Sequence, residues 1–467
     1  MTTPENTLQP KENKMGVMPI KKLVITMSWP IMLSMLVQAL YNLVDGVFVS
    51  WSSDKAFLAL GYAFPAQSLM IAICAGTGVG VNALLARRLG EKNTEEASQV
   101  ALHSYLIYFC IWLVLLLFGL FAAGPFIGLF TKDPEIWQYG TTYLRIVTIG
   151  SLGMCMQFSA ERILQASGNA IGPMIIQGTG ALFNIIFDPI LIFGYLGFPA
   201  MGVTGAAVAT IAGQWLGMVI GLVMVLRNRI VPIRPREFRF HGHLVGDIYR
   251  IGLPAILMQS LNTVAVSIMN KFLGSISDAH MFVITAYIKI ESFVLMPVFG
   301  LNNGVIPIIS FNYGAQEPGR IREAVRFSLK LSLAILCCGM LLFWAFPEQL
   351  LSLFKATETT AEAASSLSFA EVLAAGITAL RIISLSFPLA AVAIILIGVF
   401  QALGVPVLSL ICSLTRTLIV LLPAAAIFTI FYPAGVWYAF PIAEGVSLIL
   451  TIVFYKTVAK RRIAALQ

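Results

Sequence analysis

Apolar positions in this chain come in long unbroken runs, and polar positions gather in short gaps between them. Twelve runs stand out, at roughly residues 23–51, 58–86, 100–122, 139–165, 171–196, 202–226, 246–274, 281–311, 327–346, 371–401, 405–430 and 436–457. Each is long enough to cross a bilayer as a helix, for which about 20 residues suffice. Uninterrupted runs of this kind point to helices and away from the short alternating strands of a membrane barrel. Turn-forming stretches such as Gly90-Glu-Lys-Asn93, Ser167-Gly-Asn169 and Tyr432-Pro-Ala-Gly435 separate them.

The pattern repeats. Pro30, Gly76, Gly80 and Gly90 recur, at one constant offset, as Pro254, Gly300, Gly304 and Gly314. Leu144-Arg145-Ile146, Gln165-Ala166 and Gly168 recur, at a second and slightly longer offset, as Leu380-Arg381-Ile382, Gln401-Ala402 and Gly404. Six spans separate the copies, so both halves start on the same side and are related by an axis along the membrane normal. The expected architecture is all-α and polytopic, with twelve transmembrane helices in two pseudo-symmetric six-helix lobes around a central cavity. The divisions are a tail 1–22, an N-terminal lobe 23–226, a linker 227–245, a C-terminal lobe 246–457 and a tail 458–467.

Composition supports this reading. The 467 residues are 58% hydrophobic and 11% charged, with mean hydropathy +0.87, whereas soluble domains carry about 25% charged residues. The net charge of +8 does not signal nucleic acid, because its basic residues flank the apolar runs. Of 30 Lys and Arg, 22 fall on the side that carries the termini and four on the other, with Arg145, Lys289, Arg381 and Arg416 inside the runs. The positive-inside rule then puts both termini in the cytoplasm of a cell whose inner (plasma) membrane holds the protein. The basic linker is expected beside anionic lipid headgroups. The polar N-terminus shows no cleaved signal. The six cysteines lie in apolar runs without a CxxC and the four histidines form no ligand set, so no structural metal is expected.

The chemistry resides in the few polar groups at membrane depth, where a charged side chain costs about 3 kcal/mol. Asp45 lies in the first run, with Asn42, Tyr41 and Gln38 on the same helical face. It either faces a cavity or snorkels at the surface. In the fifth run, Asn184 and Asp188 are spaced i, i+4, and Pro189 cannot bond the Ile185 carbonyl. A carboxylate, an amide and a spare carbonyl within one turn could bind a proton, hydronium or Na⁺, or they could be locally satisfied around a kink. The repeat places Met269, Val420 and Ala424 where Asp45, Asn184 and Asp188 stand in the first half, so ion chemistry is expected in the N-terminal lobe. Pro30 reads equally as a hinge or a first-turn proline. Lys289 and Glu291 either line water between the lobes or are structural. Met269 and Met296 are candidates for a deformable cavity wall, with aromatic side chains to attract cations. Arg416 and Glu444 have no assignable partner. No phosphate-binding loop or catalytic motif occurs in its required context, so neither an enzyme nor a cofactor is expected.

The segments SWPIM…YNLVDGVFVSW, GVGVNALLARRLGEKN, QASGN, FNIIFDPILIFG and LMPVFGLNNGVIPIISFNYGAQ resemble the multidrug and toxic compound extrusion (MATE) family along nearly the whole chain. They look closest to its MepA-like bacterial branch. The resemblance implies a secondary active exporter, acting as a monomer, that exchanges cationic amphipathic drugs or dyes for H⁺ or Na⁺. The family's ion-site residues match at Asp45, Asn184 and Asp188, with Na⁺ the one metal such a site would take, and its bent first helix matches at Pro30. Where the NorM branch carries acids in segments 7 and 10, this chain has Asn262 and Ala390, so no ion site is expected in the C-terminal lobe. A lipid-linked oligosaccharide flippase of the same superfamily is the nearest alternative, and a polytopic membrane enzyme a remoter one.

Overall fold

The computed structural model describes residues 13–52, 54–355 and 369–466. Among these, every regular element is helical. The N-terminal lobe comprises α1 (Lys14–Val17), α2 (Ile20–Ser52), α3 (Asp54–Gly90), α4 (Thr94–Leu117), α5 (Ala123–Gly128), α6 (Pro134–Ile149), α7 (Leu152–Ala166), α8 (Ile171–Phe193) and α9 (Val203–Leu226). The C-terminal lobe follows with α10 (Gly242–Ile276), α11 (Asp278–Gly314), α12 (Pro318–Ala345), α13 (Pro347–Lys355), α14 (Phe369–Ser384), α15 (Phe387–Ala402), α16 (Pro406–Leu414), α17 (Leu422–Phe431), α18 (Ala439–Phe454) and α19 (Lys460–Ala464). π-helical turns at Phe118–Ala122, Thr415–Leu421 and Tyr455–Ala459 join consecutive helices into single spans.

Among the described residues, ten helical spans are long and apolar enough to cross a membrane, and an eleventh is the pair α14 and α15, bent by 41°. The fourth expected span is likewise two helices, α6 and α7, broken between Ile149 and Leu152. Neither half reaches the length of a span alone. The two breaks are copies, since Gly150 and Ser386 are related by the same offset as Gly168 and Gly404. Both broken spans end alike. Gly168 and Gly404 adopt left-handed φ of 85° and 72°, and the following amides bond back, Asn169 N to Leu164 O at 2.8 Å and Val405 N to Phe400 O at 2.9 Å. This helix stop needs glycine, because a Cβ is strained at that φ. Helix starts are capped by side chains: Asn93 accepts from Glu96 N, and Asp133, before Pro134, accepts from Glu135 N and Ile136 N.

The lobes meet along a seam of glycines, and its members are the repeated ones. Gly76 on α3 faces Ile256 on α10, while its copy Gly300 on α11 faces Met32 on α2. Gly80 faces Ile248 and Gly252, and Gly304 faces Ser28. Gly90 abuts the Phe311 carbonyl and Gly314 the Arg87 carbonyl. Met32 and Ile256, Ser28 and Gly252, and Arg87 and Phe311 are themselves related by the offset that carries Gly76 to Gly300. The contacts therefore obey the twofold relation that the repeat implied. A Cβ at Gly76 would lie 2.5 Å from Ile256, and one at Gly300 would lie 2.6 Å from Met32, so the backbones approach this closely only without side chains.

These contacts occupy the terminus-bearing halves of α2, α3, α10 and α11. Across the same end runs α1. Its Met15 is fully buried, and Arg320 Nη2 donates to the carbonyls of Met15 and Met18 at 2.9 Å each. One apolar core fills the N-terminal lobe and continues through the seam, and a second, around Tyr287, Phe343, Phe387 and Trp437, lies within the C-terminal lobe. The outward faces of the spans carry exposed apolar side chains such as Phe121, Ile430 and Phe431, as contact with lipid requires. The linker docks on α4, where Ser98 Oγ donates to Pro232 O at 2.6 Å and Gln99 Nε2 to Glu237 O at 2.8 Å.

Candidate functional site

α8 and α9 run antiparallel and touch through Gly180 and Gly213, each within reach of the other's carbonyl. This close approach sets the next polar positions face to face. Asn184, one turn beyond Gly180, donates Nδ2 to Asp188 Oδ1 at 3.1 Å and to Thr210 Oγ1 at 3.3 Å. Asn184, Asp188 and Thr210 are 2%, 0% and 5% exposed, so the constellation is buried. The spacing of Asn184 and Asp188 foretold their contact. Thr210 had no such signal, because its role comes from the glycine contact between two helices. Asn184 Oδ1 is shut from solvent and has no donor among the described residues. An oxygen of that kind, beside a carboxylate and a hydroxyl, suits a hydronium or Na⁺. Pro189 lies within α8, which stays continuous to Phe193.

Asn184 and Thr210 also line a cavity between α2, α3, α7, α8 and α9. Gln38 and Tyr41 come from α2, Gln67 and Met70 from α3, Gln157, Phe158 and Glu161 from α7, Gln177 from α8 and Gln214 from α9. The opposite wall centres on Glu161, which is 1% exposed. Its two oxygens accept from Gln157 Nε2 at 2.9 Å and from Gln177 Nε2 at 2.8 Å, and Ser34 Oγ bonds Gln177 Oε1 in turn. Three helices thus converge on one carboxylate. Sequence reading missed it, because Glu161-Arg162 resembles an ordinary charged pair near a helix end. Arg162, counted among the flanking basic residues, is in fact buried, with Nη1 on Gln165 Oε1 at 2.8 Å.

The remaining expected residues fall in different places. Pro30 lies inside the unbroken α2. Asn42 and Asp45 belong to the same helix, but their side chains lie outside the described ones. Met269 is buried in the apolar core of the C-terminal lobe at 4% exposure, and Met296 is half-buried on α11. Glu291 is also on α11, away from the N-lobe cavity, bonded to Tyr287. Arg416 and Glu444 are partners, Nη1 to Oε1 at 3.0 Å.

Two repeated halves, a broken span in each and a polar cavity buried in one lobe define a multi-pass membrane protein built as a secondary transporter. The chain belongs to the MatE family, whose model matches residues 30–190 and 254–427, once in each lobe. It is 26% identical over 420 residues to a FAD transporter of Shewanella oneidensis, covering 88% of each chain. It is 26% identical to the probable multidrug resistance protein YoeA of Bacillus subtilis, over 99% of this chain and 98% of that one. The multidrug export protein MepA of Staphylococcus aureus is 23% identical over 74% of this chain and 76% of its own. A solved MATE family multidrug resistance transporter of the MOP superfamily, in an outward-facing conformation, superposes with TM-score 0.89 at 26% identity, covering 98% and 99% of the two chains.

Proposed function

We propose that the protein is a plasma-membrane exporter that exchanges cationic amphipathic compounds for H⁺ or Na⁺, with both termini in the cytoplasm. The observation that carries this reading is the N-lobe cavity, which joins the Asn184, Asp188 and Thr210 constellation to the Glu161 carboxylate. Glu161 is the one charged side chain among the described residues lining it, and none of them is Lys or Arg. That lining favours a cation over the pyrophosphate of a lipid-linked sugar. The named relatives supply the drug-export side of the proposal and warn that cargo varies within the family. Asp45 joins the reading as the acid expected at the same depth.

Binding of H⁺ or Na⁺ at Asp188 removes a negative charge from behind the cavity wall and weakens the cavity's hold on a cation, so ion and cargo oppose one another. Exchange of one H⁺ or Na⁺ for one monovalent cation moves no net charge, so it draws on the ion's concentration gradient, and a tenfold gradient, about 1.4 kcal/mol, sustains a tenfold cargo gradient. The test is reconstitution in proteoliposomes with a fluorescent cation, imposing pH and Na⁺ gradients separately. Asp188→Asn should insert normally and lose gradient-driven export. A wild-type rate with unchanged ion dependence would remove Asp188 from the mechanism.

A further inference from the structure

A second set of titratable groups lies in the C-terminal lobe, where neither the repeat nor the expected family positions place an acid. α11 carries Tyr287 and Glu291 one turn apart. Tyr287 is buried, and its Oη donates to Glu291 Oε1 at 2.6 Å. α18 carries Phe440 and Glu444 at the same spacing, and the Tyr287 and Phe440 rings meet edge to face with centroids 6.0 Å apart. The ring contact sets the two turns beside each other, and the next same-face residue on each is a carboxylate.

Arg416, in the π-helical turn Thr415–Leu421, donates to one oxygen of Glu444 at 3.0 Å, while Glu444 Oε2 is shut from solvent with no donor among the described residues. Among the described residues, Glu444 and Arg416 are the charged groups that act on Glu291. Lys289 is two residues away and exposed, so it points off another face of α11. The cluster therefore holds two carboxylates against one guanidinium. Inside an apolar span a buried pair is tolerated, but a further bare charge is not. The surplus belongs to Glu291, because Arg416 is already committed to Glu444.

We propose that Glu291 is a second proton-binding site, which takes up and releases one proton per cycle in the lobe opposite Asp188. The proton moves between a Glu291 oxygen and water at the exposed part of this half-buried side chain, with Tyr287 holding the carboxyl in place. Arg416 and Glu444 remain a fixed, neutral pair. The proposal rests on the exchange reading above and adds a stoichiometry to it: two protons, not one, cross for each cargo molecule.

The experiment measures cargo accumulation at equilibrium in proteoliposomes, with the membrane potential clamped at zero and a pH difference of one unit. Each coupled proton then supports about a tenfold cargo ratio. Glu291→Gln should still exchange but reach a ratio about tenfold lower than wild type. An unchanged ratio would overturn the proposal. Asp188→Asn, run in parallel, should exchange nothing, and its retained activity would sink the N-lobe reading without touching the Glu291 comparison. If Glu291→Gln is not produced at wild-type level, Tyr287→Phe tests the same site by removing one O–H. Its transport pH profile should move relative to wild type, and superimposable profiles would likewise overturn the proposal.

Discussion

Glu161 illustrates how much one side chain decides in a cavity lined by amides. Two glutamine N–H groups hold its oxygens, so the carboxylate is held in one orientation at the cavity wall. A charge-assisted contact is worth about 1.5–3 kcal/mol, or roughly 10- to 100-fold in affinity. Glu161→Gln should therefore weaken binding of a cationic dye by about that factor while leaving a neutral dye of similar shape nearly unaffected. Equal changes for the two dyes, read by fluorescence titration of purified protein, would deny Glu161 a charge-recognition role. At this scale the sequence is partly legible. Asn184 and Asp188 announced their contact because i, i+4 spacing is a local rule. Thr210 and the Arg416–Glu444 pair stayed hidden, since their partners come from other helices, and Glu161 stayed hidden because its link to Gln177 crosses between helices, although Gln157 lies one turn before it on α7.

Helices were the most legible elements, because a bilayer demands length and apolar composition and both can be counted. What the count could not show is that α6 and α7, and again α14 and α15, are broken. A kink near a glycine or serine leaves the hydropathy of a run unchanged. The loop before α6 has a further role. Lys55, at the start of α3, reaches Asp133 at 3.5 Å and Glu135 at 2.6 Å. Asp133 also caps α6, and its carboxyl sits below the usual carboxylate range, first because it accepts from the amides of Glu135 and Ile136 and then because of Lys55. A carboxyl depressed in the folded state stabilises above its unfolded value, near pH ~3.9, and that contribution is lost as pH falls through the folded value. Asp133→Asn keeps a capping oxygen but not the charge. The variant should melt below wild type at pH 7, and the difference should shrink as pH falls below about 3.9 and vanish once it is below the folded value. A difference that persists in acid would show that charge is not what holds this end of α6.

On the scale of the whole molecule, the constant offset that carries Pro30 to Pro254 held more than a fold class. It named in advance the glycines that the two lobes press together, although nothing in the sequence said that those glycines were the seam. Twofold-related contacts that close one end of a transporter are suited to part as a unit when that end opens, because packed interfaces switch between discrete arrangements. A side chain at Gly80 would strike the Ile248 carbonyl, and one at Gly304 would lie 2.7 Å from Ser28 Oγ. Overpacking of this kind costs about 1–3 kcal/mol, comparable to the few kcal/mol that separate transporter conformers. Gly80→Leu and Gly304→Leu should therefore each shift the population toward a state open at the terminus-bearing end, and to a similar extent, since the two sites are copies. Spin labels placed across the seam should report longer distances in both variants. Export should fall, while dye binding at the N-lobe cavity, which neither glycine lines, should remain. Wild-type distances together with wild-type export in either variant would mean that the seam is static packing and that the lobes part elsewhere.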